Sequence, residues 1–284
     1  MKYLDLFIDT FAELAQHKLR TLLTLLGMIF GVGAVIAMLN IGEGAEREAL
    51  KMIDSMGLHN LIIKSKKFED KELKEQRKHS AGLTIRDGEV SARSLPFVES
   101  FSAQKLVDTY SIFSALGKSD GEAMGVSPSF FTLSKFHLAQ GRLLNETDDL
   151  GFSQVALLGS STAKQLFPLG GALGKNIKIN HLWFKVVGVL KAPFLKKEEF
   201  QGIKVGGDQH QVFIPLKTAI HRFPSKNLAS EVTSIELKLD EKVDPISAAK
   251  AISHLLERRH NEVDDYELVI PAALLAQQKQ TQQI

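Results

Sequence analysis

The chain has 284 residues and no cysteine. This excludes disulfide staples, thiolate catalysis and cysteine-based zinc sites. It also lacks a strong excess of charge of either sign. The formal net charge is +2, too small for the overall field to recruit a nucleic acid. Signatures of catalysis are missing as well. There is no GxxxxGK[ST] loop to cradle a nucleotide. The serines of "LGSSTAKQLF" follow a strand-like run but lack a GxSxG elbow. There is no HExxH, and the histidines are scattered. Those at 254 and 260 share a helix without falling on one face, so each histidine is read as a surface or partly buried side chain rather than a ligand. The carboxylates of "NETDD" (145–149) lack the D-x-[DN]-x-[DN]-G pattern of a calcium loop and are read as capping or turn residues. "GGDQH" (206–210) is read as a mobile loop. Nothing points to an enzyme, a resident cofactor or a metal.

What is present is one long apolar run in an otherwise ordinary composition, 44% hydrophobic and 24% charged. Residues 22–41 carry no charge. About 20 such residues cross about 30 Å of hydrocarbon. A signal peptide has a shorter core, about 7–15 residues, and a cleavage site. A buried core helix keeps a polar stripe. The run is therefore read as a transmembrane helix. Before it, Tyr3, Leu6, Phe7, Thr10, Phe11 and Leu14 follow helical spacing, with Asp5, Asp9 and Glu13 opposite, as in an amphipathic helix lying in a membrane interface. Lys2, Lys18 and Arg20 precede the span and Arg47 and Lys51 follow it, which gives a slight bias to a cytoplasmic N-terminus. Gly27 and Gly31 form a GxxxG pair with Gly33 nearby, a pattern that lets membrane helices pack closely, although glycine is also simply common in such helices. Beyond Asn40, the residues Ala45, Ala49, Met52, Ile53 and Met56 continue a helical stripe as an amphipathic stalk, which Gly57 would end.

The remainder reads as mixed α and β. "NLIIKS" (60–65) is strand-like, and "KKFEDKELKEQRKHSAG" is a solvated loop or mobile helix with little to bury. Residues 84–95 suit a helix with Thr84 as N-cap and Asp87 in its first turn. Residues 98–116 alternate like a strand. Between 117 and 225 the texture is short strands and glycine turns. "EAMGVSPSFFTL" is a strand breaking at Pro128, "GRLLNETDD" a turn-rich loop, and "QVALLGSSTAKQLF" a strand, turn and short helix. "IKINHLWFKVVGVL" is a hairpin about Asn180 and His181, and "QVFIPL" a strand. At the end, Ile235, Leu237 and Leu239 alternate inward with Glu236 and Lys238 outward. A helix follows, capped by Asp244 with Pro245 first, and its stripe is Ile246, Ala249, Ile252, Leu255 and Leu256. "YELVI" is a strand and "PAALLAQQKQTQQI" opens another helix. Strand–helix–strand at 60–105 and again at 233–270 suggests two halves of a split-βαβ unit.

In order along the chain, "HKLRTLLTLLGMIFGVGAVIAMLNIGEGA", "GVSPSFF", "GRLLNETD", "VALLG" with "AKQLF", "GKNIKIN…FKVVGVL", "VFIPL" and "LLAQQKQTQQI" resemble the N-terminal part of a MacB-type ABC transporter permease, a relative of the FtsX-like permeases. The resemblance implies an α+β fold: one N-terminal transmembrane helix with a stalk, then a porter-like βαβ-βαβ subdomain with an inserted strand-rich subdomain. The implied divisions are an interfacial helix over 1–18, a transmembrane helix and stalk over 19–57, the porter-like part over 58–110 and 230–272, and the insertion over 111–229. A return stalk helix at 273–284 would stop before a second span, as in a truncated permease. The family places no substrate chemistry in this domain, so the resemblance implies no cofactor here and ATP on a partner subunit. The implied partners are a separate ABC ATPase, a second permease copy or paralogue, a periplasmic adaptor and an outer-membrane channel, in the inner membrane with the main domain periplasmic and no nucleic acid. Two alternatives stay open. One is a single-pass periplasmic binding or adaptor protein. The other is a lipoprotein-releasing or cell-division-type relative.

Overall fold

The computed structural model describes residues 18–55, 60–134, 136–191, 199–200, 203–204, 210–225 and 228–271, with the side chains of 18, 43–55, 199–200 and 203–204 left aside. The interfacial helix expected before residue 18, the Gly57 terminator, most of the "GGDQH" loop and the closing helix lie outside the described residues. The chain divides into two compact units, Met1–Ile53 and Asp54–Ile284.

Helix α1 (Lys18–Ser55) runs unbroken for 38 residues. Its segment Leu19–Gly42 is long and apolar enough to cross a membrane, and none of that segment is buried. A soluble core helix would bury a stripe of it. Thr24, the hydroxyl within the run, donates from Oγ1 to the Arg20 carbonyl at 3.0 Å. The hydroxyl is thus satisfied inside its own helix, as an apolar surrounding requires.

In chain order the second unit opens with β1 (Asn60–Ser65), α2 (Asp70–Gln76), α3 (Ile85–Ser94), β2 (Val98–Leu106), β3 (Ile112–Phe113), β4 (Lys118–Ser119) and β5 (Glu122–Val126). Its middle holds α4 (Ser129–Leu133), β6 (Leu138–Gly141), α5 (Glu146–Leu150), β7 (Val155–Leu158), α6 (Ser160–Leu166), β8 (Asn176–Ile179) and β9 (Leu182–Leu190). It closes with β10 (Glu199–Phe200), β11 (Ile203–Lys204), β12 (Gln211–Pro215), α7 (Leu216–Arg222), β13 (Ser234–Leu239), α8 (Pro245–Arg259) and β14 (Tyr266–Val269).

Twelve strands form one sheet in the order β14-β1-β13-β2-β5-β12-β7-β9-β8-β3-β4, with β6 beside β9. Strands β10 and β11 pair separately. At one end, β14-β1-β13-β2 are antiparallel neighbours throughout. Because β1 reaches β2 through α3, and β13 reaches β14 through α8, this is the interleaved split-βαβ arrangement. The predicted alternation holds on the helix side, where Leu61, Ile63, Ile235, Leu237 and Leu239 are fully buried with Ala249, Ile252 and Leu256 of α8. A second core joins Ile112, Ile177, Ile179, Phe184 and Val212. A third is aromatic: Phe130, Phe131 and Phe136 surround Phe213, with ring centroids 5.5, 5.6 and 5.8 Å from it. The "SFFTL" turn is thus a short helix whose rings cover the sheet.

Some local expectations change. The charged segment after β1 contains α2, a short helix that buries nothing, and it ends on a buried charge cluster. "GRLLNETDD" contains α5, because Asn145 accepts from the Asp148 N–H while Asp148 accepts from that of Asn145, at 2.9 and 3.0 Å. This reciprocal cap is enough to start a turn. Ile246 is exposed. It sits in the first turn of α8, and the buried face is Ala248, Ala249, Ile252 and Leu256 instead. Glu236 is half-buried rather than free in solvent, and accepts from Asn60 Nδ2 at 2.6 Å. At the β8–β9 hairpin Asn180 adopts φ +52°, which Asn tolerates better than most residues. Its side chain accepts from the Tyr110 N–H and donates to the Asp108 carbonyl at 3.0 and 2.9 Å. That fixes the 108–111 loop and with it β3.

Helix α7 lies close on β5. A Cβ added at Gly125 would stand 2.2 Å from Ala219 Cβ, so backbone and helix meet only because the side chain is absent. Gly125→Ala is expected to destabilise the domain by about 1–3 kcal/mol through overpacking. In a domain of this size each kcal/mol lowers the melting temperature by roughly 2–4 °C. A thermal melt checks this, and an unchanged midpoint would mean that α7 is free to retreat.

Candidate functional site

Two features stand out on physical grounds: the exposed apolar helix and a buried cluster of charge. The cluster begins with Asp87. Its Oδ2 accepts the Thr84 N–H at 2.8 Å and so caps α3. Its Oδ1 accepts from Arg259 Nε at 2.7 Å. His260, which closes α8, lies between this carboxylate and another. Its Nδ1 is 2.6 Å from Asp265 Oδ1, and its Nε2 is 3.5 Å from Asp87 Oδ2. Asp265 also accepts from Ser80 Oγ at 2.6 Å and from Arg77 Nη1 at 3.0 Å. Arg77 donates onward to the Leu228 carbonyl and to Ser230 Oγ. Gly82, at φ +79°, passes so close that a Cβ would reach Arg77 Nη2 at 2.5 Å.

His260 and Asp87 are each 2% exposed and Asp265 is fully buried. His260 is therefore a core residue, not the surface or partly buried one expected from sequence. Burial alone would lower its pKa, but hydrogen bonds to Asp265 and Asp87 outweigh burial and raise it to about 9. Burial would likewise raise the two acids. Hydrogen bonds from His260 and Arg259 instead hold Asp87 at about 2, and those from His260 and Ser80 hold Asp265 below the ordinary carboxylate range. With a carboxylate at each ring nitrogen, the charged imidazolium is the form that donates twice. Three cationic groups already occupy the carboxylates, and among the described residues no set of His, Asp and Glu is arranged to hold a metal ion. The cluster holds parts together. It joins the 77–84 segment, the start of α3, the end of α8, the entry to β14 and the 228–230 segment, and so rivets one βαβ half to the other.

Gly27, Gly31 and Gly33 lie on α1, and a Cβ at any of them would meet no atom within 4 Å. "NETDD" has the capping role expected of it, with Asp148 also paired to Arg142 at 2.6 Å.

The architecture is a mixed α+β domain preceded in the chain by an apolar helix of membrane-crossing length. Residues 21–255 match the MacB-like periplasmic core domain, and the chain belongs to that family. It is 30% identical over 272 residues to the macrolide export ATP-binding/permease protein MacB of Shewanella oneidensis, covering 93% of this chain and 39% of the relative. It is 30% identical over 196 residues to the ABC transporter permease YvrN of Bacillus subtilis, covering 68% of this chain and 48% of that one. The chain thus spans well under half the length of the MacB relatives it matches. Among solved structures it is similar in fold to the periplasmic region of MacB from Actinobacillus actinomycetemcomitans, with TM-score 0.62 and 20% identity over 80% of this chain and 95% of that one. The extracellular domain of the ABC-type transporter YknZ from Gram-positive bacteria gives TM-score 0.57 and 17% identity over 74% and 99%.

The cluster predicts a pH dependence with a definite sign. His260 has a folded pKa of about 9 against an ordinary histidine value of 6.5. Its contribution is fully present below about 6.5 and is lost as pH rises through about 9, an effect on the order of 3 kcal/mol. The Asp87 contribution is present above about 4 and lost as pH falls through about 2. Urea midpoints should therefore drop between pH 7 and 9.5 in the native chain. In His260→Gln they should start lower and stay flat over that interval. An equal alkaline loss in the variant would place the effect elsewhere.

Proposed function

We propose that the chain is a permease subunit of a MacB-type ABC export system, and that its periplasmic domain relays ATP-driven motion to a substrate or partner without chemistry of its own. The observation that carries this reading is the unbroken helix α1. Its 38 residues extend roughly 57 Å at 1.5 Å per residue, about twice the ~30 Å of hydrocarbon. With Leu19–Gly42 in the bilayer, the rest stands out of the membrane as a rigid lever. Family membership supports the same assignment. Under it the N-terminus is cytoplasmic, ATP binds a separate ATPase subunit, and a second permease copy or paralogue packs on α1 through Gly27, Gly31 and Gly33. A periplasmic adaptor and an outer-membrane channel complete the path. The porter-like part would comprise 58–110 and 230–272, and the insertion 111–229.

The absence of cysteine makes the topology directly readable. Single cysteines at Lys118 and at Lys2 are introduced separately, and intact cells are treated with a membrane-impermeant maleimide. Lys118→Cys should label and Lys2→Cys should label only after lysis. The reverse pattern would sink the orientation and the export reading with it. If the glycines pack, Gly31→Leu should weaken self-association of α1 in a membrane dimerisation assay by about 1 kcal/mol or more. Undiminished association would leave them as mere composition.

A further inference from the structure

Four side chains stand in one cross-strand row on an outer face of the sheet. Phe113 of β3 is opposite Lys118 of β4 and Lys178 of β8. Lys178 is in turn opposite Trp183 of β9. The row alternates cation and ring. Lys178 Nζ lies 5.7 Å from the Phe113 centroid and 5.6 Å from that of Trp183, and the two rings meet edge-on at 6.5 Å. Residues of opposite parity, Ile112, Ile177, Ile179 and Phe184, fill the core. The row therefore faces out, and Trp183 is 53% exposed. The charge on these four strands has one sign. Residues 111–119 and 174–191 contain Lys118, Lys175, Lys178, Lys185 and Lys191, with no Asp or Glu. Asp120, which flanks β4, already accepts from Gln165 Nε2 at 2.6 Å.

We propose that this face docks a carboxylate-rich segment of a partner protein. Exposed lysines contribute little to ion pairing, because holding a long side chain in one geometry costs rotamer entropy. Two rings hold Lys178 in place before any partner arrives, which removes part of that cost. An exposed tryptophan beside it supplies the kind of apolar anchor on which interfaces concentrate their energy. A second copy of the same face would set lysine against lysine. A fluid anionic surface would be served equally by free lysines, whereas a cation fixed between two rings favours a carboxylate at a defined place. The inference rests on this geometry and not on the permease assignment.

Trp183 is the sole tryptophan of the chain, so its emission reads this face alone. The full chain in non-ionic detergent at low salt is titrated with a synthetic peptide alternating Glu and Ser. Emission should change saturably, and the apparent affinity should fall about tenfold in Lys178→Gln and again in about 0.5 M salt. A peptide alternating Lys and Ser should do nothing. Phosphatidylglycerol vesicles form a separate arm. A response to vesicles but not to the Glu peptide would reassign the face to a lipid surface and overturn the proposal. No response to either, or unchanged affinity in Lys178→Gln, would overturn it as well. Circular dichroism monitors folding, and Lys185→Gln, on the same exposed side of β9, serves should Lys178→Gln fail to fold.

Discussion

The structure of the second unit depends on β2 being hydrogen-bonded on both sides. On one side it pairs with β13 from Ser234↔Gln104 to Leu239↔Val98. On the other it pairs with β5 from Gln104↔Val126 to Leu106↔Met124. Gln104 belongs to both ladders. The split-βαβ end and the strand-rich remainder are therefore one sheet and not two sheets joined by a linker. A hinge between them would have to break backbone hydrogen bonds along β2, and buried backbone groups left unpaired are costly. Twist at one end is imposed on the next strand and so along the sheet.

The buried charge cluster supplies the second constraint. The helix-side packing of α3 and α8 is apolar and non-directional, so by itself it leaves the position of the two helices over the sheet only loosely specified. Asp87, His260 and Asp265 add direction. Breaking a buried pair costs about 3–5 kcal/mol, although replacing it whole with apolar groups is often neutral. The cluster thus acts less as a net source of stability than as a lock on one arrangement. Every member is satisfied: Asp87 by Thr84 and Arg259, Asp265 by Ser80 and Arg77. The charged segment after β1 finds its place here. Helix α2 buries nothing, yet Arg77 just beyond it reaches the centre of the cluster.

Much of the fold was legible in the sequence because its signals are local. The period of two in "SIELKL", the Asp244-Pro245 start of α8, the Thr84–Asp87 cap and the Asn180 turn each depend on neighbours within a few residues. The long apolar run is legible by length alone. What was not legible depends on contacts far apart in the chain. Asp87 reads as a capping residue and is one, but its second role needs Arg259 and His260, which no local pattern connects to it. The paired acids at 264–265 near His260 were the only hint in the sequence. The strand order is equally non-local: β5 beside β12 in parallel cannot be read from either strand. The Lys118–Phe113–Lys178–Trp183 row needs the register of four strands at once.

The row also lies at a particular place in the strand order. It spans β9, β8, β3 and β4, at the opposite end of the sheet from β14 and β1, and β1 is the first strand after the long helix in the chain. A displacement delivered to β1 would pass through β13 and β2 before it reached β5 and the strands beyond. Each step is a backbone ladder, far stiffer than a side-chain contact. The cluster around His260 stiffens the end that would receive such a displacement, and Asn180 and the β8–β9 hairpin stiffen the end that would deliver it. A domain can do mechanical work without chemistry if its two ends are joined in this way. The continuity through β2 makes the relay reading physically coherent, because a partner held on the β3–β8–β9 face would be coupled to β1 through hydrogen-bonded backbone.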